Sequence, residues 1–143
     1  MSSEGKRTAV GVFCADWRLH QEGVHINNEV CKRLGVDGVD VIAIPGPDRV
    51  CTMEDYAIEK DLLTKWLDLL VEAHTPVAIA FVAHYDCAGH PVNEKQHDHD
   101  VERVLREYKK LLDFDGEMVA FCATYDHDRS WPLKEIARVP AER

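Results

Sequence analysis

Val77-Ala78-Ile79-Ala80-Phe81-Val82-Ala83, running straight into His84-Tyr85-Asp86-Cys87-Ala88-Gly89, is the stretch on which the reading of this chain turns. An unbroken apolar run of this length, followed by polar and turn-forming residues, reads as a strand buried on both faces. Three more runs have the same character: 8–13 (TAVGVF), 39–44 (VDVIAI) and 118–124 (MVAFCAT).

The segments between these runs are helical in pattern. In 22–34, Val24, Ile26, Val30 and Leu34 fall at roughly helical spacing, and Gly35 supplies a stop. In 52–73, Tyr56, Ala57, Leu62, Leu63, Trp66, Leu67, Leu70 and Val71 recur at three and four residues, which puts Trp66 in the core. That segment opens with Thr52 three residues before Asp55, close to a capping pattern. The theme returns in 100–112 with Val101, Val104, Leu105, Tyr108, Leu111 and Leu112. Strand alternating with helix predicts an α/β fold, a mostly parallel four- to five-stranded sheet flanked by helices. With no repeat or linker composition, residues 1–143 read as a single domain.

Ligands of such folds collect at the carboxyl ends of the strands. The first strand runs into Cys14-Ala15-Asp16-Trp17-Arg18, and the third into His84 and Cys87. Two strand ends therefore deliver metal-seeking side chains to one edge of the sheet. Two thiolates and one imidazole make the three-ligand set of a catalytic zinc, whereas structural zinc takes four protein ligands. Magnesium and calcium prefer oxygen. Cys14 precedes His84 by about seventy residues, so the set exists only once the sheet has formed.

C-x-D-x-R and H-x-x-C, separated by a strand and an amphipathic helix, resemble the signature of the β-class carbonic anhydrases. The likeness runs from about Thr8 to about Tyr125: 40–50 takes the place of the second strand and its loop, 55–70 that of the helix before the second motif, and 118–125 that of the last, edge-building strand. The resemblance implies Zn2+ on Cys14, His84 and Cys87, with Asp16 and Arg18 as the catalytic pair. It implies a lyase (carbonate dehydratase) that reversibly hydrates carbon dioxide to bicarbonate with a zinc-bound hydroxide. Asp16 would orient that hydroxide, and Arg18 would keep Asp16 ionised and turned toward it. A homodimer or higher homo-oligomer is implied as well.

This chain departs from the family pattern in places. Ile44-Pro45-Gly46-Pro47 stands where the family carries Arg-Asn-Ala-Gly, which predicts a stiffer, reshaped pocket wall. The first strand begins too early for the family's helical arm, so the dimer is not expected to form in the usual way. Carbonyl sulfide and carbon disulfide hydrolases share the family's fold and ligands. A zinc hydrolase of those molecules and a non-catalytic zinc-binding relative are therefore the alternatives.

Elsewhere ordinary readings prevail. Cys31, Cys51 and Cys122 read as small packing residues. Gln96-His97-Asp98-His99-Asp100 reads as a solvated helix start capped by Asp98 or Asp100, with a second metal or proton shuttling as the lesser alternative. His20, His25, His74, His90 and His127 default to the surface, and Trp131 is read as a residue that packs against a partner chain. A net charge of −9 argues against nucleic-acid or anionic-membrane partners and leaves a small-molecule substrate. The polar MSSEGKR start, five widely spaced cysteines and no membrane-length apolar run point to the cytoplasm.

Overall fold

The computed structural model describes residues 5–21, 26–124 and 131–142. Residues 22–25 of the first expected helix, Tyr125 and His127 lie outside them. In chain order the elements are β1 (Thr8–Cys14), α1 (Trp17–His20), α2 (Ile26–Leu34), β2 (Gly38–Ile44), α3 (Pro47–Val50), a 3-10 turn (Glu54–Tyr56), α4 (Ala57–His74), β3 (Ala78–His84), α5 (Glu94–Leu111), β4 (Glu117–Ala123) and β5 (Leu133–Val139).

The strands form one sheet in the order β2-β1-β3-β4-β5. Neighbouring strands are parallel except for β5, which runs antiparallel to β4. The expected α/β fold with a mostly parallel sheet is what the chain adopts. The place of β4 differs from expectation, because it is an inner strand and β5 forms the edge.

Side chains alternate between the two faces of a strand, and here both faces are covered. Ile79, Phe81 and Ala83 of β3 join Met118, Ala120 and Cys122 of β4 in the core shared with Leu63 and Leu67 of α4 and Val101, Val104, Leu105 and Tyr108 of α5. Ala80 and Val82 join Val119, Phe121 and Ala123 in the opposite core, which receives Ile26 and Val30 of α2 and Leu19 of α1. That double burial explains the unbroken apolar runs of β1, β3 and β4. The edge strand β2 does not fit the expectation of two buried faces, since Val41 is 47% exposed.

Three local expectations are corrected. Thr52 does not cap α4, which begins at Ala57; its Oγ1 donates to the Asp48 carbonyl at 2.7 Å. Trp66 is 41% exposed, because the apolar stripe of α4 is wider than the surface of sheet it covers. α5 starts at Glu94 and is capped by Asn93, whose Oδ1 accepts from the Gln96 amide at 2.8 Å, so His97 and Asp100 lie inside the helix and are buried. All five cysteines are free, and among the described residues no helix is long and apolar enough to cross a membrane.

Candidate metal centre

β1 and β3 are parallel neighbours in register, Phe13 opposite Val82. Their last residues, Cys14 and His84, therefore emerge side by side. After His84 the chain turns through Asp86, which holds a left-handed backbone (φ 60°), a conformation a short aspartate tolerates better than most residues. This turn folds Cys87 back toward Cys14, leaving the two sulfurs 3.7 Å apart. One ligand atom from each of Cys14, His84 and Cys87 lies within 4.8 Å of the other two, and all three residues are buried.

The imidazole is oriented from behind. His84 Nδ1 donates to the Tyr85 carbonyl at 2.9 Å, which in the neutral ring leaves Nε2 as a lone pair. Nε2 is buried and has no hydrogen-bond partner among the described residues. A buried acceptor of this kind is costly unless a cation or donor meets it. Two sulfurs beside it complete a donor set that fits zinc.

The charges agree. A hydrogen bond from the Cys87 thiol holds Cys14 well below the ordinary thiol range, despite burial, and His84 adds to the effect. Cys87 is pushed up, first by the Cys14 sulfur and then by burial. Without a cation, the two sulfurs thus share one proton. Burial opposes protonation of His84, but the Cys14 sulfur and Asp16 outweigh it and raise the imidazole's pKa.

Asp16 caps α1, its Oδ1 accepting from the Arg18 amide at 2.9 Å. The Arg18 side chain folds back on the same carboxylate: Nη2 donates to Oδ2 at 2.6 Å, and Nε reaches Oδ1 at 3.1 Å and Oδ2 at 3.2 Å. These side-chain bonds lead the causes that lower the Asp16 pKa. Arg18 also reaches Asp86, at its carboxylate (3.3 Å) and carbonyl (3.2 Å). Asp16 Oδ2 lies 3.7 Å from His84 Nε2, so the clamped carboxylate faces the lone pair.

A cavity of about 250 Å³ opens onto the cluster, walled by Cys14, Asp16, Pro45, Cys87, Ala88 and Gly89. A larger apolar cavity of about 480 Å³ lies next to it, shares Pro45, Ala88 and Gly89, and extends to Tyr56 and Trp66. Arg49 ties the two loops together by donating from Nη1 to the Gly89 carbonyl at 3.2 Å.

The structure thus brings together Cys14, Asp16, Arg18, His84 and Cys87. Sequence reasoning overlooked one further residue and misplaced another. Asp86 is the second anchor of Arg18, and its position inside H-x-x-C was the available signal. Trp131, read as a residue for a partner chain, is 1% exposed in this chain's own core. Its ring meets His84 edge-on at 5.9 Å, and its Nε1 donates to the Arg18 carbonyl at 3.1 Å. His20, placed at the surface by default, has Nε2 2.8 Å from the Cys14 carbonyl. His74, placed there too, pairs through Nδ1 with Asp40 at 2.5 Å.

Among curated proteins, none matches this chain. A family model described as "Putative carbonic anhydrase" matches residues 4–125, which takes in β1 through β4 and all five residues of the cluster. By that match, over most of its length, the chain belongs to this carbonic anhydrase family.

Proposed function

We propose that the protein is a zinc lyase that reversibly hydrates carbon dioxide to bicarbonate, with Cys14, His84 and Cys87 as ligands and Asp16 and Arg18 as the catalytic pair. The observation that carries this reading is His84 Nε2, buried, without a hydrogen-bond partner among the described residues, set among two sulfurs and facing an ionised Asp16. Zinc held there would supply a Lewis acid that lets water ionise near neutral pH. Asp16 accepts the hydrogen of a water at the cluster and fixes that water's orientation. Arg18, bonded to both carboxylate oxygens, keeps Asp16 ionised and prevents it from rotating. Pro45, Ala15 and Ala88 present carbon to a cavity suited to a small linear molecule.

Hydrolysis of carbonyl sulfide or carbon disulfide is the second reading, favoured by the adjoining apolar cavity. We also propose that residues 1–143 act as one domain and that the chain self-associates. The unpaired edge of β2 and the exposed Ile58 (79%) and Leu69 (62%) of α4 support self-association, and sedimentation measures it. Free thiols suit a cytoplasmic setting.

The decisive experiment is stopped-flow hydration of carbon dioxide by metal-quantified protein, followed by carbonyl sulfide. Asp16→Ala should keep its zinc and lose on the order of 100-fold or more in rate. Full activity in Asp16→Ala would sink the mechanism. Turnover of carbonyl sulfide alone would select the second reading.

A further inference from the structure

A second cluster of ligating side chains lies where α3, the loop after Cys87 and the start of α5 meet. Asp48 is 1% exposed, His97 0% and His90 5%. One ligand atom from each lies within 4.8 Å of the other two. Each imidazole is oriented by its own carboxylate. His97 donates from Nδ1 to Asp48 Oδ2 at 2.6 Å, and His90 donates from Nε2 to Asp100 Oδ2 at 2.6 Å. Gln96 steadies Asp100 by donating from Nε2 to its Oδ1 at 2.8 Å. The two rings meet edge to face with centroids 5.3 Å apart.

With the protons so placed, both rings turn a bare nitrogen away from their carboxylates. His97 Nε2 and Asp48 Oδ1 are buried and have no hydrogen-bond partner among the described residues. Both are acceptors, so they cannot satisfy each other, and leaving them unmet costs free energy. One ion cannot meet both, since Nε2 points away from Asp48; an ion shared by the two residues would replace the proton between His97 Nδ1 and the Asp48 carboxylate, with Oδ1 free to join it. Histidines backed by carboxylates are how proteins orient metal ligands.

We propose that Asp48, His90 and His97 form a second metal site, for a first-row divalent cation such as zinc, with Asp100 orienting His90. Two imidazoles and a carboxylate suit such an ion, whereas calcium and magnesium prefer all-oxygen sites. A groove of about 670 Å³ is lined by His90, Gln96, Asp100 and the exposed Glu54, Asp55 and Arg103; its carboxylates outnumber the one guanidinium and give a cation a net acidic approach.

The test uses the full chain under reducing conditions. Zinc-loaded, desalted protein is assayed for metal per chain, and Co2+ titration is followed by absorbance. The thiolate-to-cobalt band reports Cys14 and Cys87; an ion on Asp48, His90 and His97 adds d–d absorption without it. Wild type should hold one equivalent more than His97→Gln. Asp48→Asn should bind that equivalent about 10–100-fold more weakly, and both variants should keep the full thiolate band. Should His97→Gln fail to fold, Asp48→Asn, which can still accept the His97 proton, decides by the same readout. A wild type with no thiolate band, but with an equivalent lost in Asp48→Asn, supports this site while overturning the Cys14–His84–Cys87 reading. Equal metal in wild type and both variants, including an extra equivalent that survives both substitutions, overturns the second site.

Discussion

Gly46 and Gly89 meet backbone to backbone: a Cβ on Gly46 would stand 3.1 Å from both the carbonyl carbon and oxygen of Gly89, and a Cβ on Gly89 would stand 3.1 Å from the Gly46 nitrogen. Gly46 also holds a left-handed backbone, with φ 57°. Gly46→Ala should therefore cost about 1–3 kcal/mol by urea denaturation and weaken zinc retention, since this loop packs against the one carrying Cys87. Gly35 provides the control, because it is also left-handed but a Cβ there has nothing within 4 Å. Gly35→Ala should cost only the backbone strain, about 1 kcal/mol, and leave zinc binding unchanged.

Arg18→Ala frees the Asp16 carboxylate from its side-chain donors. We expect the Asp16 pKa to rise toward the ordinary carboxylate range and activity to fall roughly 10–100-fold at neutral pH, with zinc content unchanged. Arg18→Lys should rescue only part of the rate, since one ammonium cannot bond both oxygens in a planar fork. Full activity in Arg18→Ala, measured by stopped flow, would remove Arg18 from the mechanism.

Zinc loading should release protons. The metal-free sulfur pair shares a proton, and thiolate ligands must lose it. Calorimetric titration in buffers of different ionisation enthalpy should therefore show proton release at pH 7, and affinity should fall as the pH is lowered. Cys87→Ser should abolish tight binding at this centre, and a chelator should lower the melting temperature of wild type by more than that of this variant.

Asp98 should make stability depend on acid. Partial burial pushes its carboxyl up, but the Tyr85 hydroxyl at 2.5 Å and the Lys134 ammonium at 2.9 Å outweigh this and hold its pKa below the ordinary value. Below the unfolded carboxylate pKa of about 3.9, the unfolded chain binds the proton first. The stabilisation is thus complete above that pH and is lost as pH falls through the lower, folded value. Asp98→Asn should be less stable than wild type at pH 7, with the gap closing in acid by urea denaturation; a gap unchanged by pH would refute the assignment.

Trp131→Ala should cost roughly 3–5 kcal/mol, the range for a large buried aromatic. Trp131→Phe should recover much of the packing but still lack the bond to the Arg18 carbonyl, worth about 1 kcal/mol. If Trp131 only fills space, Trp131→Phe should leave both zinc affinity and rate untouched.

The strands of the core were legible because β1, β3 and β4 are covered on both faces and so read as unbroken apolar runs. Once those strands were placed, Cys14 and His84 had to appear at one edge of the sheet. β5 escaped notice because its sequence, LKEIARV, carries charge at the positions an edge strand leaves in solvent. His97 and Asp100 read as wet because their types are usually exposed; they are buried here because each has a titratable partner outside the helix, Asp48 and His90. Neither pairing leaves a periodicity to detect. The apolar stripe of α4 was visible, but its width hid that Trp66 looks onto a cavity.

Trp131 lies beyond residue 125, where the family match stops, yet it backs both His84 and Arg18. A nascent polypeptide emerging from the ribosome would thus expose every sulfur, imidazole and carboxylate of the cluster before the indole that braces them has been released. An ion captured before Trp131 has emerged would sit in a frame still missing its rear wall.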